Sequence, residues 1–173
     1  MKRSLLLALL GPIVLAGSLH AAADYFLEID GVKGESSDSA RPETIEILSF
    51  SWGANNAGSA TGAGTFNFSD LRVKAAVSKA SPQLMLACAT GRHIPSATIY
   101  VRKAGSETEE YLMITMSDVL VSSYQTSGQG ASQAGGDSRP TEEVAFYYNK
   151  VALAHTADDG TVTSAEATRT PAQ

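Results

Sequence analysis

The chain has 173 residues, which favours one domain, and its 13 basic and 18 acidic residues give a net charge of −5. That balance argues against nucleic acid as a partner, because phosphate binding needs clustered Lys and Arg. A single cysteine, Cys88, excludes an internal disulfide, so the core or association must hold the fold together.

Residues 1–23 read as an export leader. Lys2 and Arg3 supply positive charge, an apolar run rich in leucine follows, and Ala21, Ala22 and Ala23 form a small-residue exit. Gly11-Pro12 interrupts the run, which falls short of the roughly 20 residues a spanning helix needs. Cleavage after Ala23 takes 23 residues from 173 and leaves 150. It also removes Lys2 and Arg3, so 11 basic residues face 18 acids and the net charge becomes −7. No second long apolar run occurs, so no membrane span is expected after cleavage.

Tyr25 to Val32 alternates apolar and polar residues, as a strand does. Lys33 to Pro42 is a polar loop. Glu43 to Gly53 returns to strand, with Leu48, Phe50 and Trp52 on a core face. Ser49 and Ser51 fall opposite, toward water or a lumen. Ala54 to Gly64 is a small-residue loop, and Thr65 to Val77 is strand with Phe66 and Phe68 on one face. A short helix follows, with Ser81 as N-cap, Pro82 at the first position and Gly91 as C-terminal cap. Leu84 and Cys88 at i, i+4 face the core, with Cys88 as a small buried hydrophobe. Arg92 and His93 suit the negative end of the helix dipole. Strands follow at Ser96–Lys103, at Glu110–Tyr124 with a bend near Ser117-Asp118, and at Glu142–His155. Ala104–Glu107 turns the chain, Gly128–Pro140 is a loop, and Thr156 to Gln173 is a polar, frayed tail. Six or seven strands and one helix make a barrel or a sandwich.

No catalytic constellation emerges. His93 and His155 lack metal-ligand spacing, so neither a metal nor a cofactor is expected. No G-x-S-x-G elbow occurs. Gly58 to Gly64 lacks the terminal Lys and following helix of a phosphate loop. Glu107, Glu109 and Glu110 read as a solvated turn.

Seven strings carry a resemblance: FLEIDGVKGES (26–36), ILSFSWG (47–53), FNFSDL (66–71), KASPQLMLACATGRH (79–93), VRKAG (101–105), EYLMITMSDVLVSS (110–123) and DSRPTEEVAFYYNKV (137–151). In this order they closely resemble the Hcp family, the hemolysin-coregulated tube proteins of type VI secretion. The resemblance implies a mainly β fold, a two-sheet antiparallel β-barrel with one short helix packed on its side, over residues 24–156. Residues 157–173 would be a flexible tail. It implies a non-catalytic homo-oligomer, a hexameric ring with a wide channel. Such rings stack into a tube that a contractile sheath expels with its spike protein, and they hold small effector proteins in the channel. The family's channel-facing serine between two aromatics is Ser51 here, with Ser49 beside it. The loop that reaches a neighbouring subunit falls on Asn55, Asn56, Gly58, Gly62 and Gly64. Family tubes assemble in the cytoplasm without a leader; the leader here points to a secreted or periplasmic protein. The alternative is an exported β-barrel binding module or adhesin that has lost tube function.

Overall fold

The structure, a computed structural model, describes residues 23–58, 65–104, 109–128 and 139–169. Its elements are β1 (Ala23–Ile29), β2 (Ile45–Ser51), β3 (Ala54–Ala57), β4 (Thr65–Phe68), β5 (Leu71–Ala76), α1 (Ser81–Thr90), β6 (Ile94–Lys103), β7 (Glu110–Ser127), β8 (Thr141–Thr156) and β9 (Val162–Thr168). Hydrogen bonding runs β5-β2-β1-β6-β7-β8, and β5 pairs back onto β8. The result is a closed, antiparallel six-stranded barrel, as the family resemblance implies. Closure pairs most strand edges, but the end of β2 from Ser49 to Ser51 and the second part of β7 from Leu120 to Ser127 keep a strand partner on one side only, among the described residues. β9 adds to the outside of β8, and β3 and β4 form a separate two-stranded arm.

Two strands are long enough to serve both sheets. β8 pairs with β5 over residues 141–146 and with β9 over residues 150–156. β7 pairs with β6 up to Val119 and with β8 from Leu112 to Ser127. One sheet is therefore β2, β5, the first part of β8 and the second part of β7. The other is β1, β6, the first part of β7, the second part of β8, and β9. Asp118 sits where β6 pairing ends, with a left-handed φ of 55°. The bend expected at Ser117-Asp118 lies there.

Strand alternation fills the barrel. Leu71, Val73 and Ala75 point inward, while Arg72 and Lys74 point out. Ile99, Ile114, Met116, Phe146 and Tyr148 are almost wholly buried. Each such side chain contributes about 1.5–3 kcal/mol over an exposed one. The helix joins this core through Leu84 and Ala87, and packs against β7. Cys88 is half-buried against the core.

The loop between β1 and β2 is strapped to the barrel by two arginines. Arg41 donates from Nε and Nη2 to both oxygens of Glu110 (2.6 and 2.5 Å) and stacks 3.4 Å over the Tyr100 ring. Arg102 lies over the Phe26 ring and pairs with Asp38 at 2.5 Å.

Several expectations need correction. Leu48 is 59% exposed, not part of the core. A bulge between Ile47 and Ser49 inserts one extra residue opposite β5. The inward parity therefore passes from Ile45 and Ile47 to Phe50, and Leu48 is left outside. Thr65–Val77 is two strands, broken at Ser69-Asp70, and Ala54–Ala57 is a strand. Ser81 is the first helical residue, not a side-chain cap: its hydroxyl accepts the Ser78 N–H at 2.9 Å, and Ala80 holds the cap position. Gly91 does close the helix, with φ 62°.

Residues 162–168 are not a frayed tail. β9 pairs with β8 from Val162↔Thr156 to Thr168↔Lys150. The Ala157–Thr161 turn that joins them uses Gly160 at φ 81°, with hydrogen bonds between Ala157 and both Gly160 and Thr161. Ala23 already pairs with Lys103, so β1 includes that residue. Residues 1–22, Gly62, Gly64, 105–108 and 129–138 lie outside the described residues, and with them the leader and most of two expected turns or loops.

Candidate functional site

The sheet pairing puts Ser49 and Ser51 on one broad outer face. Cross-strand neighbours share a face. Ser51, Arg72, Ala145 and Ser123 form one row, and Ser49, Lys74, Glu143 and Gln125 form the next. Phe50, Val73, Val144 and Tyr124 form the inward row between them. The split between serines and aromatics read from the sequence therefore holds at Phe50 and Ser51, with both serines exposed.

Charge on this face is mixed. Arg72 Nη1 donates to Glu143 Oε1 at 3.3 Å, between two half-exposed side chains. Such a pair is worth about 0–1 kcal/mol, so it orders the surface more than it stabilises the fold. Beyond the rows, the Ser122 hydroxyl donates to Asp70 at 2.6 Å. The two rows set Arg72 and Lys74 against Glu143, with Asp70 beside them, and Ala145 is their one buried member. The serine hydroxyls and charged groups of this face offer hydrogen bonds. A cleft of about 870 Å³ lies elsewhere, under the β1–β2 loop, lined by Asp30, Arg41, Glu43, Lys79 and others.

Sequence reading missed Arg72, Lys74, Glu143 and Gln125. The alternation of LRVKA showed that Arg72 and Lys74 face outward. It did not show which strands they neighbour, since that pairing spans the chain.

Asn55, Asn56 and Gly58 are exposed on the β3 side of the arm. Asn55 pairs with Asn67 and Asn56 with Phe66 across it. The arm is a sheet separate from the one that carries Ser49 and Ser51. At its base, Ser69 donates through N–H (2.9 Å) and hydroxyl (3.0 Å) to the Gly53 carbonyl.

His93 stands 3.5 Å from Asp118, both well exposed, beyond the helix end. Among the described residues no three His, Cys, Asp or Glu side chains gather as a metal site. Burial raises the Tyr148 hydroxyl pKa, and the hydroxyl sits at the arm base between the Trp52 indole N–H and the Ser69 carbonyl.

The family described as "Type VI secretion system effector, Hcp" matches residues 26–155. Protein hcp1 of Pseudomonas aeruginosa is 43% identical over 136 residues, which cover 75% of this chain and 81% of that protein. The crystal structure of Hcp1 from Salmonella typhimurium aligns with TM-score 0.74 and 31% identity, over 85% of this chain and 95% of that one. A type VI secretion system effector from Yersinia pestis aligns with TM-score 0.71 and 29% identity, over 84% and 99%. With the matched region spanning the whole barrel, the chain belongs to the Hcp family of type VI secretion proteins.

Proposed function

We propose that this chain is a structural subunit that forms hexameric rings and carries small effector proteins in their channel. The four-stranded sheet bearing Ser49 and Ser51 is the observation behind this reading. Ser49–Ser51 of β2 pair only with β5, and Leu120–Ser127 of β7 pair only with β8, among the described residues. The sheet thus has a strand without a further strand partner at each side. Such edges favour association with another chain. A contact between two different surfaces closes into a ring when its rotation allows. In that arrangement the polar face would line the channel, and the six copies of Ser51 would meet the cargo.

Small hydroxyls beside a balanced set of charges suit weak, shape-dependent retention. Tight binding would hinder release. Asn55, Asn56 and Gly58 on the arm, together with Gly62 and Gly64 of the expected loop, would contact a neighbouring copy. Stacked rings would make the inner tube that a contractile sheath drives out behind a spike protein. The leader would add an export route of its own, and N-terminal sequencing of the secreted protein tests it: a start at Asp24 supports cleavage after Ala23, and a start at Met1 contradicts it.

Ser51→Gln tests the channel. It should leave rings intact and abolish co-purification of a cargo protein. Unchanged retention by intact rings would remove Ser51 from the channel wall.

A further inference from the structure

The β3–β4 arm is a sheet of its own and, among the described residues, pairs with no barrel strand. A lone two-stranded hairpin is marginally stable in water, so contacts at its base must fix its direction. Those contacts converge on Tyr148. Its hydroxyl accepts the Trp52 indole N–H and donates to the Ser69 carbonyl at 3.1 Å. Its ring lies 5.5 Å from that of Phe68, the last residue of β4. The two residues that bracket the arm, Gly53 and Ser69, are therefore tied to each other and to β8.

A second layer lies against this one. Arg169 follows β9 directly. Its guanidinium carbon is 4.3 Å from the Tyr147 ring, 5.6 Å from Phe68 and 6.0 Å from Tyr148. Its Nε donates to the Tyr148 carbonyl at 3.2 Å, and its backbone N–H donates to the Asn149 carbonyl at 2.7 Å. Residues 147–149 are the stretch where β8 leaves β5 and takes up β9. Without an anchor there, the Tyr148 ring would have a freer backbone beneath it. A guanidinium suits the place because it stacks on aromatic faces while donating in its own plane.

We infer that Arg169 is a positioning residue. β9 carries it against the Phe68–Tyr148 pair, where it clamps the base of the arm and sets the direction in which the arm projects. The C-terminal strand, paired to the outside of β8, thereby controls the separate β3–β4 arm. The consequence for assembly rests on the proposed role of the arm between subunits: a loosened arm should lower the fraction of rings while the barrel stays folded.

Hydrogen exchange on the full chain tests the clamp directly. In Arg169→Ala, amides of residues 53–58 and 65–69 should exchange about tenfold faster, with residues 94–103 and 110–119 unchanged, because local opening is separable from global unfolding. Arg169→Lys should restore part of the protection. Tyr148→Phe, which removes one hydroxyl and keeps the ring, should loosen the same segments. Unchanged arm protection in Arg169→Ala overturns the clamp, as does equal loosening of arm and barrel. Native mass spectrometry of the same variants separates the two ideas. A loosened arm with an unchanged ring fraction keeps the clamp and refutes the arm's part in assembly.

Discussion

Trp52 donates its indole N–H to the hydroxyl of Tyr148, 96 positions away in sequence. The bond joins the end of β2 to the point where β8 changes partners, and so fixes the arm to the barrel. Trp52→Phe keeps an aromatic ring but removes the donor. A buried hydrogen bond contributes about 0.5–1.5 kcal/mol, and some packing is lost as well. Urea unfolding should show a loss of about 1–2 kcal/mol with an unchanged slope.

Acid should weaken the strap over β1 and β6. The Arg102 guanidinium, hydrogen-bonded to Asp38, lowers the Asp38 carboxyl pKa from 3.8 to about 2. A carboxylate with a lowered folded pKa stabilises fully above its unfolded pKa and loses that effect as pH falls through the folded one. The stabilisation should therefore be present above pH 3.8 and disappear as pH approaches about 2. Denaturation midpoints of wild type and Asp38→Asn should differ at pH 5 and converge at pH 2. A constant difference would mean that Asp38 acts without its charge.

The bulge in β2 makes neighbouring residues unequal. Ile47 is 5% exposed and Leu48 is 59% exposed. Ile47→Ala should cost about 2–5 kcal/mol, as large-to-small core changes do. Leu48→Ala should stay within about 0.5 kcal/mol, as surface changes do. Thermal melts of the two variants check this. A large loss in Leu48→Ala would place that side chain in the core after all.

Removing β9 should leave the barrel standing. Its residues are mostly exposed, and the six barrel strands close without it. Truncation after Thr156 should give a cooperative melt at lower temperature, measured by circular dichroism. Complete loss of structure would mean that β9 is needed for closure.

Much of the fold was legible because the strands alternate and the helix has a proline start and a glycine end. Ser51 and Ser49 could be assigned to an outer face from period two alone. That logic failed at Leu48, because a bulge changes parity without a local signal that outweighs the apolar side chain. It failed at β9 for a different reason. Thr156 to Gln173 is polar, yet Asp159-Gly160 followed by Val162 and Thr163 carries a hairpin signal, and β8 supplies the partner edge. Arg72, Lys74 and Glu143 reach the serine face through pairings far apart in the chain, which no local pattern records.

The central claim is a ring whose channel is lined by the Ser49 and Ser51 face. Native mass spectrometry of the mature domain, with the same sample imaged by electron microscopy, tests it most directly. A hexamer seen as a ring with an open centre, with Ser51→Cys labels directed inward, is the expected result. A monomer at high protein concentration, or rings whose labels point outward, would contradict it.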